Sequence, residues 1–165
     1  MRVYRLTNRR DATQAFSGEG ARRVAGRWHP TGVRVVYTSS SVALALIENL
    51  VHFDPDDLAA IGFLYEVDVP DALVETPPLS DLPADWNHPK RSDHARAYGR
   101  EWVTSKRSLA LAVPSVSVPQ ERNVLINPEH AAFAHLAVGG PSPFLFDQRL
   151  LVSPPPPKHR KPRRR

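Results

Sequence analysis

Cysteine is absent from the 165-residue chain, and so is any long apolar run. Without cysteine, disulfide bonds, thiolate metal sites and cysteine nucleophiles are excluded, and a reducing cytoplasm is the compartment we expect. No stretch approaches the ~18 apolar residues that a membrane helix needs. The first ten residues, MRVYRLTNRR, lack the apolar run of a signal peptide. With 41% hydrophobic and 24% charged residues, the composition is typical of a soluble globular domain.

A strong charge of one sign is also missing from most of the chain. The net charge is +5, but the last eight residues, KHRKPRRR, contain six Lys or Arg, and without those six the net charge is −1. A basic groove spread over the fold is therefore not predicted. Residues 153–165 are predicted to be a Pro-rich, basic and disordered tail. The alternative is that this tail is an arm that binds nucleic acid.

Hydrophobic periodicity predicts more strands than helices. Strands are predicted at 2–6, 33–39, 62–70, 108–118 (broken by Pro114), 123–127 and 143–152. Helices are predicted at 42–53, capped by the serines at 39–41, at 93–105, capped by Asp93, and from Pro128 onward. Residues 15–28 are predicted to be a loop and 77–93 a Pro-rich surface segment. Since several strands follow one another without a helix, we predict one compact α+β domain over residues 1–152 with a mixed sheet.

The predicted helix at 42–53 carries one carboxylate among apolar residues. On a helical wheel its apolar face is centred on Ala43, Leu46, Ile47 and Leu50, and widened by Leu44 and Val51. Glu48 falls just beyond that face, at the predicted border between core and cleft. A carboxylate there is partly desolvated, which costs free energy unless it meets donors or cations. Glu48 either pairs with an Arg or His, or reaches water, or faces a site where positive charge develops.

Arginines stand in the Gly-containing segment before this helix, namely Arg22, Arg23 and Arg27. Because the planar guanidinium grips phosphate oxygens in pairs, they are candidate ligands for a phosphate group. Tyr37 ends a predicted strand and is either a core residue with its hydroxyl bonded to the backbone or the wall of a cleft. Trp28 is predicted to pack in the core. Metal-ligand spacing is not found among His29, His52 and His130.

Taken in order, several segments resemble the RES domain, a family named for an Arg, a Glu and a Ser. The segment FSGEGARRVAGRWHPTGVRVVYTSSSVALALIENLVH (16–52) resembles its opening. YGREWVTSKRSLALAVPSVSVPQERNVLINPEH (98–130) is similar to its second half, and FLFDQRLL (144–151) to its closing strand. The resemblance covers roughly residues 2–152. The sequence departs from the family's usual GGRWN, because AGRWH places Ala25 and His29 beside the arginine.

The resemblance implies a fold, an activity and a site. RES domains have a fold related to ADP-ribosyltransferases, with a mostly antiparallel sheet, and are toxins that break the nicotinamide–ribose bond of NAD⁺. Matched by motif, the site residues are Arg27, Tyr37, Glu48 and Ser115, with Arg22 or Arg23 supplying a phosphate pocket. No cofactor is expected because NAD⁺ is the substrate, and inorganic phosphate or water is the nucleophile. The expected partner is an Xre-type helix-turn-helix antitoxin, with toxin dimerisation in the complex and nucleic acid bound only through the antitoxin.

Other functions remain open at this point. An ADP-ribosyltransferase would use the same bond cleavage but pass ADP-ribose to a protein or nucleotide target. A non-catalytic nucleic-acid-binding module is suggested by the basic tail alone. An inactive family member is the third alternative, because the sequence departs from the family around Arg27.

Overall fold

Runs of β-branched and aromatic residues form an eight-stranded sheet. The computed structural model describes residues 1–52, 58, 60–88 and 92–151. Its strands are β1 (Arg2–Thr7), β2 (Val36–Ser39), β3 (Phe63–Asp68), β4 (Val74–Glu75), β5 (Ala110–Pro114), β6 (Arg122–Ile126), β7 (Ala137–Val138) and β8 (Ser142–Pro143). Their order in the sheet is β4-β5-β6-β2-β1-β3-β7, and β8 also pairs with β3. Only the β4–β5 pair is parallel among these strands, so the predicted α+β fold with a mostly antiparallel sheet is confirmed.

The described part of the chain contains four α-helices. They are α1 (Ala12–Ala15), α2 (Glu19–Arg23), α3 (Val42–His52) and α4 (Asp93–Ser105). The start of α3 follows the predicted serine cap, because Ser41 Oγ accepts a hydrogen bond from the Leu44 amide at 3.0 Å. The range of α4 matches its prediction, although Ser92 rather than Asp93 is its N-cap residue. Within the described residues, none of these helices has the length and apolarity to cross a membrane.

Two of the irregular segments were assigned incorrectly from the sequence. The predicted loop at 15–28 contains the short helix α2. Its N-cap residue is Gly18, which has a φ of 70°. Pro128 does not begin a helix. Instead, a 3₁₀ helix spans Ala131–His135, and His130 caps it by accepting the Ala132 amide.

Strand lengths also differ from the prediction at two places. The strand predicted at 33–39 is shortened to β2, and the one predicted at 143–152 is replaced by β8 and a 3₁₀ helix at Gln148–Leu151. Leu145 is 92% exposed, whereas Phe144 and Phe146 on either side of it are half-buried and pack against the core cluster that contains Leu6. Residue 53, the proposed tail at 153–165 and residues 89–91 of the Pro-rich segment lie outside the described residues.

Both faces of the central strands are buried, which explains their continuous apolar runs. On one face Val3, Tyr65, Ala112 and Val124 belong to one core cluster, together with Phe16. On the other face α4 and the segment before β2 cover β5 and β6, through Trp28, Trp102, Leu111, Val113 and Leu125. The helix α3 covers β1 and β2 on this same face, since Leu6 and Leu64 point away from the first cluster and pack with Ala45.

Helix α4 approaches the backbone of Trp28 more closely than a side chain at position 99 allows. A Cβ built on Gly99 lies 1.8 Å from the Trp28 carbonyl oxygen. The Trp28 side chain is 2% exposed, so the contact is inside the core. It fixes the backbone on either side of Trp28, which carries Arg27 and His29.

Replacing Gly99 by Ala therefore forces α4 and the Trp28 backbone apart. We expect Gly99→Ala to lower the free energy of unfolding by about 3 kcal/mol, the upper range for overpacking a core. Gly20→Ala is the matched control, because Gly20 also lies in a helix and a Cβ there meets nothing within 4 Å. It should be neutral or slightly stabilising. Urea unfolding of both variants measures the difference, and equal stabilities would contradict the close approach.

Candidate active site

Glu48 lies on the inward side of α3. Leu44 and Ala45 are buried, whereas Ala43 is exposed and Val51 is 62% exposed. At 100° per residue Glu48 falls between Leu44 and Ala45 on the helical wheel. Glu48 is half-buried, as predicted for the border of the apolar face, but the inward side of α3 is centred near Leu44 and Ala45 and not on Ala43. The wheel ranks residues by apolarity and takes no account of polar donors on the sheet that can receive a carboxylate.

Two side chains from the neighbouring strands donate to the Glu48 carboxylate. Ser115 Oγ donates to Oε1 at 2.6 Å and Asn123 Nδ2 donates to the same oxygen at 2.7 Å. Ser115 follows directly after β5 and is fully buried, and Asn123 lies on β6. Hydrogen bonds to an ionised acceptor are short and strong. The carboxylate is thus held by donors that come from parts of the chain 67 and 75 residues away.

Each of these donors is itself oriented by the fold. Ser115 Oγ accepts the Val118 amide at 2.9 Å, so its hydrogen is directed at Glu48. Asn123 Oδ1 accepts from Ser39 Oγ at 2.9 Å, which directs the amide group of Asn123 at the carboxylate. The register of β2 and β6 places Ser39 opposite Asn123. The arrangement leaves little rotational freedom around Glu48.

Asn123 and Ser39 were not singled out from the sequence. A signal exists for Asn123, because Asn is depleted in strands and here stands at the start of the apolar run Val124–Ile126. A polar residue in such a place indicates a hydrogen-bonding requirement. Ser39 was considered only as a possible helix cap, although the register makes it the partner of Asn123.

The Tyr37 hydroxyl is bonded inside the protein. It accepts the Trp28 amide at 3.3 Å and lies 2.9 Å from His29 Nδ1. The first alternative for Tyr37 is the one that the contacts match, because the ring packs against the core cluster of Trp28 and Leu125 and the hydroxyl is bonded to the backbone, while its role as a cleft wall stays a prediction. Burial raises the pKa of Tyr37 well above its usual value. The charge of Glu48 raises this pKa further, and the charge of Arg27 lowers it.

Tyr37 and Ser39 face the same side of the sheet, and Trp28, the chain neighbour of Arg27, donates to the Tyr37 hydroxyl, so Glu48 and the backbone of Arg27 lie on one side of the sheet. Arg27 Nη1 donates to the carbonyls of Trp86 and His88 at 3.1 and 2.9 Å. Both described hydrogen bonds of Arg27 use this one nitrogen. Arg96 of α4 donates to the Gly26 carbonyl at 2.9 Å and also lowers the pKa of Tyr37.

Arg22 and Arg23 lie on α2, and both are exposed. Arg22 Nε donates to Glu19 at 2.8 Å, and among the described contacts neither arginine touches Glu48, Tyr37 or Arg27. The structure thus bonds Ser115 to Glu48 and places Tyr37 on the same face of the sheet, whereas Arg27 contacts the carbonyls of Trp86 and His88, and Arg22 and Arg23 are exposed. Arg96, which was not singled out from the sequence, donates to the carbonyl of Gly26, the residue before Arg27 in the chain. Within the described ranges, no group of three or more His, Asp or Glu residues is arranged to hold a metal ion.

Comparison with known proteins identifies the family to which the sequence is similar. The model of the RES domain family matches residues 2–147. A protein called Toxin Res from Photorhabdus laumondii is 41% identical over 128 residues, which are 78% of this chain and 82% of that protein. The Prs ADP-ribosylating toxin of Sphingobium sp. is 37% identical over 139 residues, covering 82% and 86%.

A solved structure shares the fold. A chain from the M. tuberculosis MbcT–MbcA toxin–antitoxin complex superposes with a TM-score of 0.67. The match covers 87% of this chain and 84% of that one at 21% identity. At 21% identity, this likeness shows a shared fold and nothing beyond the fold.

The Asn123–Glu48 contact predicts a charge-dependent loss of stability. In Asn123→Asp a second carboxylate faces Glu48 across the present 2.7 Å contact, and we expect a loss of about 3 kcal/mol at pH 7.5. As the pH falls toward ~4, one carboxyl of the pair takes a proton and donates to the other, so the loss should shrink.

Asn49→Asp is the matched control. It adds the same charge at a half-buried position of α3, but the side chain of residue 49 contacts the Ala45 carbonyl and not Glu48. Its loss should stay below about 1 kcal/mol, because the side chain can turn to water. Chemical unfolding between pH 4 and 7.5 measures both variants. Equal losses would show that Asn123 does not contact Glu48 in solution.

Proposed function

The chain belongs to the RES domain family, and on that premise we propose that it is the toxin of a toxin–antitoxin pair and depletes NAD⁺. The reaction is cleavage of the nicotinamide–ribose bond. The observation that carries the proposal is the carboxylate of Glu48, which Ser115 and Asn123 hold in one orientation on the same face of the sheet as Tyr37. Relatives called Toxin Res support the toxin part of the proposal.

Cleavage of this bond requires electrostatic stabilisation of the ribose more than it requires acid catalysis. The electron pair of the C1–N bond leaves with nicotinamide, which departs as a neutral base, and the ribose becomes oxocarbenium-like. As the bond breaks, the positive charge moves from the pyridinium ring to the ribose, so a fixed negative charge beside the ribose interacts more strongly with the transition state than with bound NAD⁺ and lowers the barrier. Glu48 is the carboxylate that fits this role, because Ser115 and Asn123 already hold it in one orientation. Little reorganisation is then needed during the reaction.

Arg27 and Tyr37 supply binding and orientation in this proposal. Arg27 uses Nη1 to bond the backbone, so the rest of its guanidinium is suited to oxygens of the diphosphate. Tyr37 forms the wall for the nicotinamide ring, and Ser115 acts by fixing Glu48. Arg22 or Arg23 remain candidates for a phosphate pocket. Arg96, which lies against Gly26, is better placed than either to act beside Arg27.

The nucleophile completes the reaction at C1 of the ribose. Water gives ADP-ribose and releases a proton, whereas inorganic phosphate gives ADP-ribose with a phosphate ester at C1. The proposed activity is accordingly that of an NAD⁺ glycohydrolase or an NAD⁺ phosphorylase. No resident cofactor or metal is part of either route.

A second candidate function is transfer of ADP-ribose to a macromolecule. It is favoured by one relative, 37% identical, whose name is Prs ADP-ribosylating toxin. The bond that breaks is the same, and only the acceptor differs. NAD⁺ labelled in the adenylate phosphate separates the two, because the label stays in small products in one case and joins a polymer in the other.

An inhibitory partner is also part of the proposal, because a toxin that drains NAD⁺ must be blocked in its own cell. The solved structure with this fold is a toxin–antitoxin complex. We propose an Xre-type helix-turn-helix antitoxin that fills the cleft near Arg27 and Glu48, and a toxin homodimer within that complex.

Glu48→Gln tests the role of the charge. The glutamine oxygen can still accept from Ser115 and Asn123, so the protein should fold, while NAD⁺ consumption should fall by about 100-fold or more. Glu66→Gln is the matched control. Glu66 is a half-exposed carboxylate on β3 that pairs with Arg2 of β1, and its replacement should leave the rate unchanged.

The measurement is incubation of the purified protein with NAD⁺, with and without phosphate, followed by identification of the products. Full activity of Glu48→Gln would reject the role of that residue. Intact NAD⁺ after incubation with the wild-type protein, under both conditions and with added lysate, would reject the proposed function.

A further inference from the structure

His29 is a buried polar residue that the proposed reaction has not used. Its side chain is 2% exposed, and both ring nitrogens contact polar groups. Nε2 lies 2.9 Å from the Ala21 carbonyl and 3.0 Å from the Val24 carbonyl, and Nδ1 lies 2.9 Å from the Tyr37 hydroxyl. Gly26 packs directly on this pair, because a Cβ there would lie 2.6 Å from His29 Cε1 and 2.8 Å from the Tyr37 oxygen.

The contacts define which nitrogen carries the proton. A carbonyl oxygen only accepts, so Nε2 must donate and carries the hydrogen. Nδ1 of the neutral ring is then an acceptor, and the Tyr37 hydroxyl donates to it. Burial lowers the pKa of His29, and the positive charge of Arg96 lowers it as well. The neutral form with hydrogen on Nε2 is therefore the form that the fold favours.

The hydroxyl of Tyr37 is consequently saturated on the protein side. Its single hydrogen points to His29 Nδ1, and it accepts the amide of Trp28. It has no hydrogen left to give to a substrate or a leaving group. The ring tilts at 57° to the imidazole, with the centroids 5.5 Å apart, so the hydrogen bond and the ring contact together restrict the orientation of Tyr37.

We propose that His29 is a positioning residue for Tyr37: its Nδ1 holds the hydroxyl so that Tyr37 offers its ring face, and no proton, to the nicotinamide end of the substrate. This inference rests on the proposed function for the identity of the substrate. It also gives a role to a position where this chain departs from the family's usual Asn. Asn has an oxygen close to where His has Nδ1, so both residues can accept from the same hydroxyl.

Two substitutions separate the halves of the imidazole. His29→Asn keeps an acceptor near Nδ1 but loses the donor to the Ala21 and Val24 carbonyls. His29→Gln keeps a donor near Nε2 but loses the acceptor for Tyr37. If His29 acts through Tyr37, kcat/KM for NAD⁺ should be about tenfold higher in His29→Asn than in His29→Gln, which is the effect of about one hydrogen bond. If His29 only supports the loop, the order should be reversed.

Tyr37→Phe is the control for a merely structural role of His29, because such a role does not depend on the Tyr37 hydroxyl. Without the hydroxyl, the acceptor near Nδ1 has nothing to bind, so the tenfold ratio between the Asn and Gln variants should fall to about one. A ratio that persists in the Tyr37→Phe background would overturn the proposal, and so would equal or inverted activities of the two variants with Tyr37 present.

Long-range ¹H–¹⁵N NMR of the wild-type protein tests the contact without reference to activity. The expected spectrum has a pyrrole-type Nε2 and a pyridine-type Nδ1 for His29 at pH 7.5. A hydrogen on Nδ1 would overturn the His29 proposal whether or not NAD⁺ is consumed. The expected tautomer in a wild-type protein that leaves NAD⁺ intact would overturn the proposed function instead, and with it the assignment of nicotinamide as the group that meets Tyr37.

Discussion

The Glu48 carboxylate and its two donors are the constraint around which the site is built. Removing a carboxylate from water costs several kcal/mol unless donors replace the lost hydration. Ser115 and Asn123 provide that replacement from the end of β5 and the start of β6. Because each donor is fixed by a further hydrogen bond, from Val118 or Ser39, α3 must sit in one place over the sheet. A glutamine would meet the same donors, so packing alone does not require the charge.

The other half of the site depends on how the segment before β2 is anchored. Gly99 lets α4 touch the Trp28 backbone, and His29 ties Tyr37 to α2 through the Ala21 and Val24 carbonyls. The backbone of Tyr37 has its own support. β1 and β2 pair only at Tyr4 and Ser39. Beyond that pair, Arg5 Nη1 donates a hydrogen bond to the Tyr37 carbonyl at 2.7 Å.

Arg5 is a half-buried cation that donates hydrogen bonds to backbone carbonyls. Burial lowers its pKa to about 10, so it remains charged at neutral pH. Its other described hydrogen bond is to the Ala15 carbonyl at 2.9 Å, which links α1 to β2 across the space where the strands separate. Tyr37 is thus held from both ends, by Arg5 at its backbone and by His29 at its hydroxyl.

The sequence predicted the regular elements better than the connections between them. Strong periodicity gave α3 and α4 almost to the residue, because an amphipathic pattern over more than ten residues has few alternatives. It failed for α2 and for 143–152, where one turn of helix or a short apolar run leaves no period to read. Motif resemblance singled out Glu48 and Ser115, which share a hydrogen bond in the structure, while the roles of Arg27 and Tyr37 stay predictions. It could not reveal Asn123, Arg96 or the Tyr37 contact of His29, because these depend on strand register and on helix packing across the sheet.

The central claim is that NAD⁺ binds with its nicotinamide ribose beside Glu48. The most direct measurement is a crystal structure of the Glu48→Gln protein with NAD⁺ bound. We expect the nicotinamide ribose beside residue 48, the nicotinamide against the ring of Tyr37 and the diphosphate at Arg27. A nucleotide bound elsewhere on the surface, or one with its adenine end at residue 48, would contradict the account.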